Sequence, residues 1–395
     1  MTDVDALTRA LDERLAEADA ALAARYPGPR PGRAPVHTVY VPADRFEAGL
    51  VASYGEQALD VLDAHEERFR EATGADDDLV ARVRAKLRDE PVEDLRVDLE
   101  DGYGGGAAAE DADVARAAPL VAALPTLRHG IRFKCLEAPT RARGVRTLAA
   151  FVDGYLGAGG DLDALVVTLP KVTSVDQVEA MVEACAWLER DHGLAEGRLR
   201  FEVQVETPQA VLGADGTATV AGMVHAAAGR CAGLHFGTYD YSASLGIAAQ
   251  HQAMDHPAAD HAKAVMQLAA AGTGVPVADG STNVLPVGGP DAVLTGWVLH
   301  HRLVRRSLAR GLYQGWDLHP AQLPTRYAAT FGFYRDGFAR AAERLSGSGG
   351  AVLDEPATFK ALAGYVLRGL DCGAISEQEV LDATGHDAGR LRTWA

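Results

Sequence analysis

The feature that most constrains this chain is an alternation of short β-branched or apolar segments with longer helical patterns, repeated eight times. Parallel strands joined by helical crossovers produce this order. Eight units in series predict a closed (β/α)8 barrel, the TIM barrel, although counting alone leaves an open doubly wound sheet as an alternative. The predicted strands are 36–41, 94–100, 130–134, 163–169, 200–206, 232–237, 275–279 and 311–318. Helical patterns lie between them, including 53–73, 142–156, 174–193 and 291–310.

The 395 residues divide into three predicted parts. Residues 1–35 form an N-terminal helix with alternating acids and bases, followed by a proline-rich linker. The barrel is predicted over residues 36–350, since such barrels use about 250 residues or more as one unit. Residues 351–395 form a helical extension that we expect to cap the barrel mouth or mediate oligomerisation, with predicted helices at 359–373 and 376–384.

The two faces of the predicted strands differ in polarity. Residues two apart share one side of a strand, and strand two therefore separates Leu95, Val97 and Leu99 from Arg96, Asp98 and Glu100. Strand five divides in the same way, with three charged or amide side chains on one face: Glu202, Gln204 and Glu206. A parallel strand covered by helices on both faces would be apolar throughout. The charged faces thus favour a shared barrel interior in which acids and bases pair, and the alternative is an edge strand with one wet face.

Composition and charge exclude several classes of protein. The chain has 55 acidic and 38 basic residues and a net charge of −17, so it would repel nucleic acid and anionic membrane surfaces. It has no uninterrupted apolar stretch of membrane-spanning length. Its four cysteines lie far apart and form no CxxC pair, which indicates reduced thiols and a cytoplasmic protein.

The chemistry of a barrel enzyme lies at the C-terminal ends of its strands. Nearly every predicted strand end here carries an ionisable group, namely Glu100 with Asp101, Arg132 with Lys134, Lys171, Glu206, Asp240, Asp279 and His319. Glu206 follows strand five and Asp240 follows strand six, so their carboxylates converge. Hard oxygen ligands of this kind suit Mg2+, with Mn2+ as the alternative ion. Each acid taken alone is also compatible with a structural role.

Four other strand-end residues are basic, and three of them, Arg132, Lys171 and His319, are candidates for contact with substrate. The Arg132 guanidinium suits bidentate binding of a carboxylate, or it pairs with Asp98 or Glu100 in the barrel interior. Lys134 and Lys171 fit salt bridges better than Schiff-base chemistry, and Lys171 is also a candidate for substrate binding. His319 directly follows strand eight and either contacts substrate or caps a turn. The three histidines at positions 251, 256 and 261 do not share one helix face and fit a surface role.

Seven segments resemble motifs of the HpcH/HpaI aldolase and citrate lyase β-subunit family, part of the phosphoenolpyruvate/pyruvate superfamily. The resemblance extends from about Val36 to Tyr327. In chain order its segments are VYVPADRF, VDLEDGYG, IRFK, TLPKV, VQVETPQA, FGTYDYSASLG and WDLHPAQL. IRFK departs from the family's usual arginine-x-asparagine, and GTYDYSASLG carries extra aromatic residues around its acid.

The resemblance implies a (β/α)8 barrel with Mg2+ on Glu206 and Asp240 and the substrate carboxylate or carbonyl on Arg132. It assigns Glu100 and Asp101 to ordering metal-bound water or Arg132. Such a site would act as a carbon–carbon lyase or aldolase on a 2-oxo acid or an acyl-CoA ester, through an enolate, in a protein expected to form homo-oligomers. The alternatives are a phosphotransfer enzyme that uses phosphoenolpyruvate, for which no nucleotide-binding glycine loop is visible, and a non-catalytic barrel used for binding.

Overall fold

Eight parallel strands form the centre of the molecule. The computed structural model describes residues 3–347 and 355–395. The strands are β1 His37–Pro42, β2 Asp94–Asp98, β3 Arg128–Arg132, β4 Val167–Leu169, β5 Phe201–Val205, β6 Cys231–Phe236, β7 Val277–Ala278 and β8 Gly315–Asp317. Each overlaps one predicted strand, although several are shorter than predicted. The order of elements expected from the sequence is therefore confirmed.

The sheet closes on itself. Its order runs from β7 through β6, β5, β4, β3 and β2 to β1, and β1 pairs with β8. A single parallel bridge between Ala278 and Gln314 joins the two remaining edges. This nearly closed cylinder confirms the (β/α)8 barrel and excludes the open doubly wound sheet.

The helices that surround the barrel are more numerous than the sequence predicted. The predicted helix over 53–73 is divided at His65 into two helices, and a further helix at residues 77–89 precedes β2. The helices before β8 are α1 Val4–Arg25, α2 Leu50–Ala64, α3 Glu66–Thr73, α4 Asp77–Asp89, α5 Ala107–Ala122, α6 Arg141–Gly157, α7 Val175–Asp191, α8 Pro208–Val211, α9 Thr219–Ala226, α10 Thr238–Ser244, α11 Pro257–Ala270 and α12 Pro290–Ala309. After β8 come α13 Leu323–Leu345, α14 Pro356–Asp371, α15 Glu377–Thr384 and α16 Ala388–Arg392.

The barrel interior is charged, as the strand faces predicted. Arg96 pairs with Asp94 and with Glu202, whose Oε2 lies 2.8 Å from Nη2 of the arginine. His235 approaches the same Glu202 at 3.2 Å, and Tyr40 donates a hydrogen bond to its other oxygen. All five side chains are buried. Because an unpaired buried charge is costly, these opposite charges must be satisfied together for the strands to close.

The chain termini attach to the outside of this body. After α1 the linker crosses the N-terminal end of the barrel, where the Gly28 amide donates to the Gly272 carbonyl at 2.8 Å and Arg30 donates to the Gly229 carbonyl. At the other terminus, α14 and α15 pack against α13, so the described part of the extension, residues 355–395, lies on the outer helical layer. The predicted boundary at residue 350 lies outside the described residues.

No helix within residues 3–347 and 355–395 is both long and apolar enough to cross a bilayer. The longest of these helices, α13, has 23 residues and carries charged side chains on its outer face.

Asp317 on β8 joins the barrel to the helical layer. Its carboxylate accepts hydrogen bonds from His37 at 2.7 Å and His300 at 3.0 Å, and it pairs with Arg326 on α13. Burial opposes ionisation, but the Arg326 charge and the two histidine hydrogen bonds outweigh it and hold the pKa of Asp317 well below its usual value. Asp317 thus fixes β1, β8 and two helices around one charge.

We predict that Asp317→Ala lowers the free energy of unfolding by about 3–5 kcal/mol, because Arg326 would be left buried without its partner. The matched control is Asp336→Ala, which removes an exposed aspartate paired with Arg305 at 2.7 Å. The control should cost less than about 1 kcal/mol. Urea unfolding of both variants measures the difference, and equal small losses would contradict the role of Asp317.

Candidate active site

Three acidic side chains from separate strand ends meet at the barrel mouth. Asp101 follows β2, Glu206 follows β5, and Asp240 lies in the first turn of α10 after β6. One carboxylate oxygen from each lies within 4.8 Å of the others. The convergence of Glu206 and Asp240 expected from the sequence is therefore present, and Asp101 joins them as a third carboxylate.

The position of Glu206 depends on its neighbours. Its Oε2 accepts a hydrogen bond from the Gln204 amide at 2.7 Å, and its Oε1 accepts one from the backbone N–H of Lys171 at 2.8 Å. A side chain at Gly237 would place its Cβ 2.5 Å from Oε2 of Glu206. Glycine at this position is therefore required for the loop after β6 to approach the carboxylate.

The ammonium group of Lys171 lies among the carboxylates. Its Nζ contacts Asp240 at 2.7 Å, Asp101 at 2.8 Å and Glu100 at 3.4 Å. The backbone of Lys171 is left-handed, with φ of 49°, a conformation that is unfavourable for a residue with a side chain. The surrounding contacts hold the lysine in this conformation. Its ammonium group supplies one positive charge to the site.

Arg132 uses most of its guanidinium inside the barrel. Its Nε and Nη2 donate to the two oxygens of Asp98 at 2.7 and 2.6 Å, and its plane lies over the ring of Tyr40. Only Nη1 faces the mouth, where it lies 3.7 Å from Glu100 and 3.9 Å from Asp101. The bidentate partner of Arg132 in this structure is therefore Asp98, and one N–H edge is left toward the site.

Burial sets the protonation states of the acids. It raises the pKa of Glu206 to about 8, although Arg132 and Lys171 oppose the shift. It also raises the pKa of Glu100 to about 7. For Asp101, hydrogen bonds with Glu100 and Lys171 outweigh burial and lower the pKa to about 2. The site thus combines an ionised carboxylate with two acids that change charge near neutral pH.

The donor set fits a hard divalent cation. Four carboxyl groups, those of Glu100, Asp101, Glu206 and Asp240, share the Lys171 ammonium and one edge of Arg132, so acidic groups outnumber basic ones. Mg2+ holds oxygen ligands at about 2.0–2.1 Å, which places opposite ligands about 4 Å apart. The oxygens within 4.8 Å reach that spacing with a small inward shift. The Lys171 ammonium would have to move when the cation binds, because it contacts two of the same carboxylates, Asp101 and Asp240.

Three other candidates from the sequence have hydrogen-bond or ion-pair partners outside this cluster. His319 caps a short 3₁₀ helix by accepting the Ala321 N–H at 3.1 Å, which is the turn-capping alternative. Lys134 donates to the Leu99 carbonyl. Asp279 forms a buried pair with Lys263 at 2.8 Å behind the barrel wall, so it does not belong to the mouth.

Sequence reasoning missed several residues that shape the site. Gln204 and Gly237 position Glu206, and Tyr40 lies against Arg132. The alternation of strand five placed Gln204 on the same face as Glu206, and this signal could have identified it. Nothing in the local sequence indicates that Tyr40 and Arg132 meet, because they lie on β1 and β3.

The fold and site define the class of protein as a (β/α)8 barrel with an acidic mouth. Malate synthase of Haloferax volcanii with magnesium and glyoxylate has a TM-score of 0.55 to this structure at 16% identity, covering 92% of this chain and 99% of that chain. Its ternary complex with pyruvate and acetyl-CoA has a TM-score of 0.53 at 17% identity, covering 76% and 71%. Protein CitE of Mycobacterium tuberculosis with magnesium, acetoacetate and coenzyme A has a TM-score of 0.50 at 19% identity, covering 87% and 99%.

The family of the chain follows from its sequence. Residues 15–395 match the family described as "Domain of unknown function (DUF6986)", and the chain belongs to that family. No curated protein matches it. The similarity to the solved structures shows a shared barrel fold. At sequence identities of 16–19%, the fold is what the chains have in common.

The raised pKa of Glu206 predicts how stability varies with pH. The folded protein retains a proton that the unfolded chain releases near the usual value of 4.5, so stability falls as pH rises from about 5 to 8 and levels off above. Glu206→Gln should reduce this slope to the part that comes from the raised pKa of Glu100, whereas Glu183→Gln at an exposed position on α7 should leave it unchanged. Thermal unfolding between pH 5 and 9 in the presence of EDTA measures it, and an unchanged slope in Glu206→Gln would contradict the assignment.

Proposed function

We propose that this chain is a Mg2+-dependent enzyme that makes or breaks a carbon–carbon bond beside the carbonyl of a 2-oxo acid or an acyl-CoA ester. The observation that carries the proposal is the meeting of Asp101, Glu206 and Asp240 next to Arg132 at the barrel mouth. Solved neighbours of the same fold were obtained with magnesium and with glyoxylate, pyruvate, acetoacetate or coenzyme A. The motifs that resemble the HpcH/HpaI aldolase and citrate lyase β-subunit family support the same chemistry.

In this proposal the metal site consists of Glu206, Asp240 and Asp101. Magnesium held there would supply positive charge for the negative charge that develops on a substrate oxygen during bond cleavage or condensation. The Nη1 edge of Arg132 donates a hydrogen bond to the substrate carboxylate or carbonyl from the same side. Asp98 holds the other edge of the guanidinium at 2.6–2.7 Å, so Arg132 is oriented before substrate arrives.

Proton transfer is assigned to Glu100. Its pKa of about 7 lies where a carboxyl group can both accept and donate a proton at neutral pH. In the condensation direction Glu100 accepts a proton from the carbon beside the carbonyl, and in the cleavage direction it returns that proton. Lys171 stabilises the substrate carboxylate once its ammonium group leaves Asp101 and Asp240. His319 stays a predicted substrate contact.

Ligand linkage tests the metal site without an activity assay. Mg2+ together with oxalate should stabilise the wild-type protein by about 2.7 kcal/mol when the ligand is at one hundred times its dissociation constant. Glu206→Gln and Asp240→Asn should lose this stabilisation, because each removes a charged oxygen ligand. The control is Asp336→Asn on the surface of α13, which should respond like wild type. Equal stabilisation of all four proteins would refute the metal site.

A substrate screen tests the reaction itself. With Mg2+ present, we expect turnover for one of the tested 2-oxo acids, glyoxylate, pyruvate or oxaloacetate, alone or with acetyl-CoA. Arg132→Lys retains a positive charge for Asp98 but loses the planar donor edge, and we expect kcat/KM to fall by about 100-fold. Because lysine keeps a positive charge for Asp98, stability should fall far less than turnover, whereas the control Arg305→Lys on the outer helix α12 should change neither. A normal rate in Arg132→Lys would remove this residue from the site, and turnover that requires ATP would refute the lyase assignment.

A further inference from the structure

The N-terminal helix α1 has an apolar stripe that nothing in the described chain covers. Apart from half-buried Ala21, all residues of the helix are exposed, and none is buried. Its large apolar side chains have exposed fractions of 47–64%, as follows: Val4, Leu7, Leu11, Leu15 and Leu22. Spacings of three and four residues place these side chains and Ala18 on one face of the helix.

An uncovered helix of this kind is unusual in a folded protein. Helices gain most of their stability from packing of an apolar face, and an isolated helix is marginal in water even at 15 residues. A contiguous exposed apolar stripe marks a contact surface. The uncovered apolar face of the 22-residue α1 is therefore a contact surface for a partner.

The flanks of the stripe indicate what the partner is. One flank carries aspartates at seven-residue spacing, Asp5, Asp12 and Asp19, whereas the opposite flank carries Leu7, Arg14 and Ala21 at the same spacing. When two copies of such a helix pair in parallel, opposite flanks face each other, so Arg14 meets Asp19 of the second copy. In an antiparallel pair like flanks meet, and the aspartate rows of both copies would repel each other.

We propose that α1 pairs in parallel with α1 of a second copy of this chain, as a short coiled coil of about three heptads. Thr8, Leu15 and Leu22 form one row of its core, and Val4, Leu11 and Ala18 form the other. This interaction surface does not depend on the proposed enzymatic function.

The attachment of α1 decides where the coiled coil lies. The Tyr26 ring packs edge-on against His225 with centroids 5.5 Å apart, and Gly28 and Arg30 bind loops that precede β6 and β7. These loops lie at the N-terminal end of the barrel, opposite the mouth. Pairing through α1 therefore leaves both mouths open to substrate.

Cysteine crosslinking distinguishes the arrangements. The four native cysteines are buried, so an introduced thiol on α1 would be the accessible one. Ala18→Cys places a thiol in the core of the coil, where the two copies face each other only if the helices are parallel. Ala20→Cys is the matched control on the outer face. Under mild oxidation we expect a covalent dimer from Ala18→Cys and a monomer band from Ala20→Cys on a non-reducing gel.

Charge exchange provides the second test. Arg14→Glu replaces each of the two symmetric Arg14–Asp19 contacts by a pair of carboxylates. We expect the dissociation constant of the dimer, measured by sedimentation equilibrium, to rise by about tenfold. Adding Asp19→Arg should restore wild-type dimerisation. A monomeric wild-type chain overturns the proposal. A dimer in which Ala18→Cys crosslinks no better than Ala20→Cys also overturns it. That result would place the stripe against another surface, such as the exposed Trp187 of α7.

Discussion

The requirement that every buried charge has a partner governs this barrel. Arg96 with Asp94 and Glu202, and Arg132 with Asp98, fill an interior that in many barrels is packed with branched apolar side chains. Removing one member of such a pair costs several kcal/mol, because its partner is left charged and buried. The closure of the sheet and the orientation of Arg132 toward the mouth therefore depend on the same interactions.

At the barrel mouth the charged groups are only partly paired. Its carboxyl groups exceed the positive charges that the chain supplies, and Lys171 occupies the centre in a strained backbone conformation. Burial then raises the pKa of Glu206 and Glu100 toward neutral pH. A divalent cation would relieve this excess, and it would also release Lys171 toward a substrate. The same cluster of acids therefore accounts both for the electrostatic cost of the site and for its proposed chemistry.

Much of the barrel could be predicted because its signals are local. The period of two in β2 and β5 assigned Arg96, Asp98 and Glu202 to the interior, and the structure confirms all three. The strand ends assigned Glu206 and Asp240 to one rim, where they meet. The break at His65 and the extra helix α4 were missed, because one continuous amphipathic pattern does not reveal where packing divides it.

By itself the sequence determined the number of strands, the polarity of their faces and the set of acids at the rim, since period and order are properties of neighbouring residues. Only the tertiary structure decided which partners these side chains take. Arg132 binds Asp98 across two strands, Lys171 lies between Asp101 and Asp240, and Gln204 orients Glu206. Such choices depend on distances across the closed barrel, because each buried charge selects the nearest group that can satisfy it.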